Sequence, residues 1–422
     1  MWNNRIPEYL AWLLIAAAAV IVARATHVQY LGDSANSRLA TVWALVHEGV
    51  WHIDLPNPFE PGTVDKVEID GHLYSTKPPV LPLLMTGEYY TMRGLLEWDL
   101  SQREDARRIV RVMTVTLIGV AYVAALVFFL LIARWCIPGP WTRLAALFSL
   151  AFATQLIGFA THIDNHLPAA GALMAALYFA AGLCSGRLAP QWHRFTLFGL
   201  CGGLVFTFDM PVTIFIVFAG LWLVVRFPRQ TLLWTTLGLA APLAVHFAVM
   251  VAVTGSPLPI QMRHELYLYA ASYWRNPGGL DALNEPKLTY LFHMTFGRFG
   301  SFTLFPVLLV GLIGAAWTCR DSGDAARGWI AGAAAAFAVM TAYYVLRTNN
   351  YGGAAYGFRW HIAVMPVLLL MGAPVWNRMT RPWHWALWCL AAAVSCYSAW
   401  ECFQAPWGEH QEWTCRVFGT AY

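Results

Sequence analysis

Apolar segments long enough to cross a membrane recur from one end of the chain to the other. A helix of roughly 20 predominantly apolar residues spans the hydrocarbon core of a bilayer. The pattern therefore predicts an all-α polytopic membrane protein with about 11 transmembrane helices. The predicted spans are 9–23, 109–133, 142–160, 167–184, 195–208, 211–225, 232–253, 302–318, 328–346, 360–376 and 384–400.

The predicted spans 195–208 and 211–225 are separated only by Asp209-Met210-Pro211. Proline ends or kinks a helix, so the segment is either two helices joined by a tight turn or one kinked helix. We predict two helices, because Arg194 and Arg226 then face the same side of the membrane.

Composition agrees with a membrane location. Of the 422 residues, 58% are hydrophobic and only 12% are charged, and the mean hydropathy is +0.51. A soluble domain of this size could not cover its surface with so few charges. The net charge of +4 is scattered and no Lys/Arg run stands out, so we expect no nucleic-acid partner.

Arginine pairs mark alternate short loops, which is the pattern expected of cytoplasmic loops. The long connections 24–108 and 254–301, and the tail 401–422, then lie outside the cytoplasm as parts of one transmembrane domain covering 1–422. We expect a multi-pass protein of a bacterial inner or plasma membrane. The arginine pairs are Arg134/Arg143, Arg187/Arg194, Arg226/Arg229, Arg320/Arg327 and Arg378/Arg381.

The first long loop is predicted to be structured and to carry two short helices. Asp33 can cap the first helix, which runs to about Val50 with its apolar residues on one face. Arg38 falls on another part of that helix surface. The second helix is predicted over 79–92. Both are too short or too polar to span, so we expect them to lie along the membrane surface.

A short hairpin separates these two helices. Asp70-Gly71 is a two-residue turn signal, and it is flanked by the strand-like segments 64–69 and 72–75. Lys77 follows and precedes two prolines, so its backbone is extended and it cannot join the next helix. It is therefore held beside a helix N-terminus, where the ammonium and the helix dipole both favour an anion such as phosphate.

With these motifs, the sequence resembles the GT-C superfamily of transferases that use polyprenyl-phosphate-linked sugars. It is most similar to the group that includes protein O-mannosyltransferases and lipid A aminoarabinose transferases (a glycosyltransferase family 39-like group). The matching residues are Gly32-Asp33-Ser34, Tyr74-Ser75-Thr76-Lys77-Pro78-Pro79, and Tyr351-Gly352-Gly353 with Gly357-Phe358-Arg359.

The resemblance implies a sugar donor linked to a lipid phosphate, a carboxylate after the first span, and basic residues on the phosphate. Asp33 would be the general base, Lys77 would contact the phosphate, and Tyr74 would be a further substrate-binding residue. The alternatives are a helix cap for Asp33 and an interfacial lysine for Lys77. In the aminoarabinose enzymes an acid just before the lysine helps to bind a metal, but this chain has Thr76 there. The cofactor is therefore unknown, with a divalent cation left open.

Further candidates come from two polar segments near predicted outer helix ends. Asp164 and His166 lie in the turn between the third and fourth spans, where polar side chains are costly unless solvated or used. Asp164 is a candidate second catalytic carboxylate, which would orient the acceptor or help to ligate a divalent cation, and His166 is a candidate substrate contact. An ordinary polar turn is the alternative. Arg359 follows a glycine-rich approach and is a candidate phosphate ligand, and Arg298 is a weaker one.

The predicted function is transfer of a sugar from a polyprenyl-phosphate donor, in contact with membrane lipid, to an acceptor hydroxyl or amine on the extracytoplasmic side. The acceptor can be a glycan, a lipid or a protein. The main alternative is a transporter or flippase for a lipid-linked sugar or small anion, whose sites lie near the bilayer midplane. A non-catalytic scaffold is a second alternative. Cys402 and Cys415 could form a disulfide if the tail is outside the cytoplasm.

Overall fold

The chain is built almost entirely of helices, with one small sheet near the N-terminal end. The structure, a computed structural model, describes residues 6–27, 32–54, 62–320, 327–407 and 412–419. Its α-helices, numbered α1 to α20 in chain order, are Ile6–Ala25, Gly32–His47, Val80–Leu96, Arg103–Met113, Val120–Cys136, Pro140–Phe152, Leu156–Phe159, His166–Cys184, Trp192–Phe208, Thr213–Arg226, Pro228–Gln230, Thr236–Thr254, Lys287–Thr295, Ser301–Leu304, Leu309–Arg320, Arg327–Arg347, Met365–Met371, Ala373–Trp376, Pro382–Gln404 and Trp413–Phe418. The strands are β1 (Lys66–Ile69) and β2 (His72–Ser75).

Short 3-10 and π-helical turns join or extend several of these helices. The π-helical turns Thr114–Gly119 and Thr231–Thr235 lie inside the long helices Arg103–Cys136 and Pro228–Thr254. The 3-10 turns are Met210–Val212, Ile260–Met262, His264–Tyr267, Tyr273–Arg275, Gly279–Ala282, Pro306–Leu308 and Arg359–Val364.

Six described helices are long and apolar enough to cross a membrane, and the chain is an integral multi-pass membrane protein. The other five predicted spans are shorter or broken helices, so the count of eleven is not confirmed. The span predicted over 142–160, for example, is divided into α6 and α7. The six are Ile6–Ala25, Arg103–Cys136, His166–Cys184, Pro228–Thr254, Gly328–Arg347 and Pro382–Gln404.

Helix α8 is the most deeply buried of these six and lies at the centre of the fold. It packs against α5, α9 and α10, and most of its residues are buried. Alanine and glycine allow this close approach. A Cβ added at Gly171 would lie 2.7 Å from the carbonyl oxygen of Ala121 in α5. Small residues play this role wherever helices pack in lipid.

The structure confirms the two helices predicted around Asp209, since α9 ends at Phe208 and α10 begins at Thr213. It also confirms the elements predicted for the first loop. Asp70 and Gly71 have φ of 52° and 82°, as a two-residue hairpin turn requires. The strands pair antiparallel, with Lys66 opposite Ser75 and Ile69 opposite His72.

Helix α2 differs from its prediction in one respect. It begins and ends within a few residues of the expected positions, but both its faces are covered. Arg38, expected on an outer part of the helix surface, is only 1% exposed. The amphipathic pattern predicts which face is apolar, whereas the burial of the polar face depends on the loops that fold over it.

Several of the arginines predicted to face the cytoplasm lie near the C-terminal ends of α5 and α8. Arg134 and Arg143 both pair with Glu8, at 2.6 and 2.5 Å. Near the C-terminal end of α8, Arg187, Arg226 and several apolar side chains line a cavity of about 920 Å³. Since a 19-residue helix is roughly 28 Å long, this cavity is far from the first residue of α8.

Candidate active site

Asp33 lies in the first turn of α2 and joins that helix to the segment that leads into β1. Its Oδ1 accepts a hydrogen bond from the backbone N–H of Val64 at 2.8 Å, and its carbonyl accepts one from Thr63 Oγ1 at 2.9 Å. Asp33 is exposed as a residue. Partial burial of its carboxylate raises its pKa, and the negative charge of Asp65 raises it further. The hydrogen bond from Val64 and the positive charge of Lys77 lower that pKa, but the net shift is upward.

Lys77 forms an ion pair with Asp65, with Nζ and Oδ2 2.6 Å apart. The two side chains are only 15% and 18% exposed. Burial raises the pKa of Asp65, but the charge and hydrogen bond of Lys77, together with the charges of Arg359 and Arg38, outweigh this, so that pKa lies below its ordinary value. Burial lowers the pKa of Lys77, against the opposing charge of Asp65.

Hydrogen bonds from α2 hold this ion pair in place. Ser37 Oγ donates to the carbonyl of Asp65 at 2.7 Å and lies 2.6 Å from Ser75 Oγ. Ser75 Oγ in turn accepts from the backbone N–H of Lys77 at 3.2 Å. The helix therefore holds the backbone on both sides of the ion pair.

Arg38 is a buried cation one turn after Asp33. Its guanidinium donates to the carbonyl and the hydroxyl of Ser34, at 2.9 and 2.7 Å, and to Asn165 Oδ1 at 2.7 Å. Its Nε has no hydrogen-bond partner among the described residues. Burial lowers the pKa of Arg38 to about 10, while the charges of Asp164 and Asp65 raise it.

Asp164 caps α8 and lies within the electrostatic reach of Arg38. Its Oδ1 accepts from the backbone N–H groups of His166 and Leu167, at 2.5 and 3.0 Å. Its Oδ2 has no hydrogen-bond partner among the described residues. The residue is 1% exposed, and burial raises its pKa to about 6. The structure is therefore compatible with both predicted roles of Asp164. It belongs to a polar turn that caps a helix, and it is a second acid beside a cation.

His166 points to Asp209 rather than to open space. Its Nδ1 lies 2.7 Å from Asp209 Oδ2, and the two side chains are 4% and 6% exposed. The Asp209 side chain forms no cap hydrogen bond at the start of the turn Met210–Val212. It joins the start of α8 to the junction of α9 and α10 instead.

Arg359 enters the site from the late part of the chain. Four carboxylates, those of Asp65, Asp164, Asp209 and Asp281, interact with it electrostatically. Its guanidinium carbon lies 4.9 Å from the centre of the Trp407 ring, and its Nε has no hydrogen-bond partner among the described residues.

Backbone shape and a tryptophan fix the position of Arg359. Gly352 has φ of +97°, and a Cβ added there would lie 2.8 Å from Arg359 Cγ. Only glycine allows this approach at that backbone conformation. A Cβ at Gly32 would lie 3.6 Å from the Trp407 ring. Trp407 thus packs between Arg359 and the residue before Asp33.

These groups form one cluster, which we call the charged centre: Asp33, Arg38, Asp65, Lys77, Asp164, Arg359 and, at its edge, Asp209 and Asp281. Its three cations come from α2, from the loop after β2, and from the glycine-rich segment before α17. Such a site can bind an anion through the cations and transfer a proton through a carboxylate.

Comparison with known proteins identifies the architecture. ArnT from Cupriavidus metallidurans, bound to undecaprenyl phosphate, is similar with a TM-score of 0.55 and 12% identity, covering 90% of this chain and 62% of that one. The oligosaccharyltransferase AglB from Archaeoglobus fulgidus, in complex with an inhibitory peptide and a dolichol phosphate, has a TM-score of 0.51 and 13% identity, covering 96% of this chain and 57% of that one. The chain has the GT-C fold.

No protein-family profile and no curated protein matches the sequence. The chain spans less than two thirds of the length of both structures. At these identities the comparison establishes the fold, in agreement with the resemblance drawn from the loop motifs.

Two predicted substrate contacts, Arg298 and Tyr74, interact with residues outside the charged centre, although Tyr74 lines a small cavity together with Lys77. Arg298 pairs with Glu285 at 3.4 Å, and Glu285 also accepts a hydrogen bond from the Tyr351 hydroxyl. Tyr74 packs edge-on against His52, with ring centres 6.3 Å apart. The predicted roles of Arg298 and Tyr74 as substrate contacts remain predictions.

Sequence reasoning did not assign functional roles to Arg38, Asp65 or Asp281. Asp281 accepts hydrogen bonds from Asn350 Nδ2 at 2.7 Å and from the Tyr273 hydroxyl at 3.1 Å. Burial raises its pKa, against these two hydrogen bonds. In the sequence, only Asp65 could have been noticed, as an isolated acid just ahead of the hairpin. Its position does not show that Lys77 is its partner.

Proposed function

We propose that this chain is a membrane glycosyltransferase that moves a sugar from a polyprenyl-phosphate donor to an acceptor hydroxyl or amine on the extracytoplasmic side. The observation that carries the proposal is the convergence of Lys77, Arg38 and Arg359 on one set of carboxylates in a GT-C fold. ArnT and AglB, which share the fold, were solved with undecaprenyl phosphate and dolichol phosphate respectively.

Lys77 and Arg359 act on the donor phosphate. When the bond from the anomeric carbon to the phosphate oxygen breaks, the polyprenyl phosphate leaves with the electron pair and gains negative charge. Fixed cations stabilise that charge most effectively in a site that excludes water. The unpartnered Nε of Arg359 supports the role, because an uncompensated buried donor is costly and a phosphate oxygen can accept from it.

Asp33 acts as the general base. The acceptor oxygen or nitrogen forms the new bond to the anomeric carbon while Asp33 takes its proton. Exposure suits this role, since the acceptor must reach the carboxylate from outside the bundle. The raised pKa of Asp33 makes its carboxylate a stronger base than an ordinary one.

Asp65 and Arg38 position the other groups. Asp65 holds the Lys77 ammonium through their ion pair, and Arg38 joins α2 to the start of α8 through Asn165. Asp164 places a second buried carboxylate beside Arg38. Among the described residues, no three histidine, cysteine or acidic side chains of the charged centre converge as metal ligands.

A binding comparison tests the phosphate site before the sugar and acceptor are known. The untagged protein in nanodiscs is titrated with undecaprenyl phosphate and, separately, with undecaprenol, and complexes are counted by native mass spectrometry. We expect preference for the phosphate, lost in Lys77→Gln and Arg359→Gln. Lys287→Gln is the matched control, because Lys287 is an exposed cation bonded to Asn349 and outside the charged centre. Equal binding of the two lipids would refute the proposed site.

A second assay distinguishes transfer from transport. Proteoliposomes are given a panel of labelled undecaprenyl-phosphate sugars together with envelope lipids, glycans and peptides. Release of undecaprenyl phosphate with labelled acceptor supports a transferase. Movement of the intact donor across the membrane without release supports a flippase instead, and would overturn the proposal.

A further inference from the structure

Three potential ligand side chains meet on the outer edge of the hairpin. His52 Nδ1 lies 2.5 Å from Asp54 Oδ1, and His72 Nδ1 lies 2.9 Å from Asp54 Oδ2. The two imidazole rings are stacked, with centres 4.4 Å apart and planes at 26°. All three ligand atoms fall within 4.8 Å of one another, and no other such group of three occurs in the described part of the chain.

The backbone builds this arrangement. His52 bridges antiparallel to Tyr74, and the N–H of Ile53 donates to the carbonyl of Leu73 at 2.7 Å. In this register Asp54 is opposite His72, and His52 is its diagonal neighbour. Residues two apart on a strand share a face, so His52 and Asp54 point the same way. Ile53 points the other way and is 0% exposed.

We propose that His52, Asp54 and His72 bind a divalent transition-metal ion of the zinc type. Two neutral imidazoles and one carboxylate carry a charge of −1, which complements a 2+ ion. Imidazole suits zinc, copper and nickel, whereas magnesium and calcium select oxygen ligands. Zinc accepts this mixture at about 2.0–2.2 Å and completes a tetrahedron with water.

The ion would join residues 52–54 to β2, the strand that leads to Lys77. It would not share ligands with the charged centre. Neighbouring residues on a strand point to opposite faces, and residues two apart share a face. His72 therefore lies on the same face as Tyr74, whereas Ser75, which contacts Ser37 of α2, points to the other face. The site is thus a structural clamp on the edge of the first loop, and it does not depend on the proposed transferase activity.

A hydrogen-bonded triad without metal is the competing interpretation, and it predicts different results. The untagged protein is stripped with EDTA, equilibrated with Zn²⁺ and desalted, and bound zinc is measured by plasma mass spectrometry. We expect one zinc per chain, with affinity reduced at least about tenfold in His72→Ala and Asp54→Asn. His264→Ala is the control, because His264 is an exposed histidine of the other long loop.

Thermal unfolding provides a second measurement that a folding defect cannot imitate. An ion that binds only the native state raises the midpoint by mass action. Zn²⁺ should raise it for the wild type and for His264→Ala, but not for His72→Ala or Asp54→Asn, and Mg²⁺ should raise none of them. Substituted Co²⁺ should give the visible absorption of a low-coordinate site. Zinc retained equally by all variants, or by none including the wild type, would overturn the proposal.

Discussion

Variants of the ion pair between Lys77 and Asp65 can distinguish the contribution of Lys77 to stability from its contribution to ligand binding. We consider Lys77→Gln, Asp65→Asn and the double variant. The pair is short, at 2.6 Å, and its side chains are 15% and 18% exposed. Removing one partner of a buried pair costs about 3–5 kcal/mol, because the remaining charge is left uncompensated. Since this pair retains some exposure, we expect about 2–3 kcal/mol for Lys77→Gln.

The double variant removes both charges and leaves two neutral amide side chains. Replacing both partners of a pair is often close to neutral for stability. We therefore expect it to recover most of the stability lost in Lys77→Gln, with a coupling energy of about 2 kcal/mol. Its affinity for undecaprenyl phosphate should stay low, because the ammonium that we propose as the phosphate contact is still missing. A lost charged hydrogen bond of about 1.5–3 kcal/mol corresponds to a loss in affinity of roughly tenfold to a hundredfold.

The assay pairs thermal unfolding in nanodiscs with undecaprenyl phosphate binding for the wild type and the three variants. Lys287→Gln controls for the loss of an outer-loop cation. A double variant that binds undecaprenyl phosphate like the wild type would show that Lys77 does not contact the phosphate. A double variant as unstable as Lys77→Gln would refute the argument that an uncompensated Asp65 charge causes the instability.

Three further predictions follow from the charged centre. Asp33→Asn should reduce turnover by about 10²–10⁴-fold with donor binding retained, since it removes only the base; full turnover in that variant would exclude Asp33 as the base. Gly352→Ala should weaken undecaprenyl phosphate binding, because its Cβ would displace Arg359, whereas Gly353→Ala, with positive φ but open space around it, should show backbone strain without the binding defect. Burial raises the folded-state pKa of Asp164 to about 6, above its value of about 4 in the unfolded chain, so this group contributes stability below pH 4 that is lost as pH rises to 6. The thermal midpoint of the wild type relative to Asp164→Asn should therefore fall between pH 4 and 7, and parallel pH curves for the two proteins would contradict this.

Local sequence signals predicted the elements of the first loop well. The Asp70-Gly71 turn, the helix after Pro78-Pro79 and the break at Asp209 all appear in the structure. Each depends on residues within a few positions of one another, through turn chemistry or the fixed φ of proline. The loop motifs were also sufficient to indicate the GT-C fold, although no sequence profile matches the chain.

Local sequence signals could not decide the number of membrane spans or whether Cys402 and Cys415 form a disulfide. Apolar composition alone does not show where a helix breaks, so the segment predicted over 142–160 proved to be two helices, Pro140–Phe152 and Leu156–Phe159. Cys402 and Cys415 are buried free thiols rather than a disulfide. Their pairing depended on a distance that spacing along the chain does not fix.

The sequence by itself determined the class of protein, the elements of the first loop and four candidates that the structure brings into the charged centre: Asp33, Lys77, Asp164 and Arg359. Only the tertiary structure brought Asp65 to Lys77, Arg38 to Asn165, and Arg359 to the carboxylates of four separate segments. Helix and turn formation are governed by neighbours along the chain, whereas the partner of a charge is chosen by packing between segments up to hundreds of residues apart. A buried arginine on α2 and an exposed one give the same sequence pattern until the surrounding loops are in place.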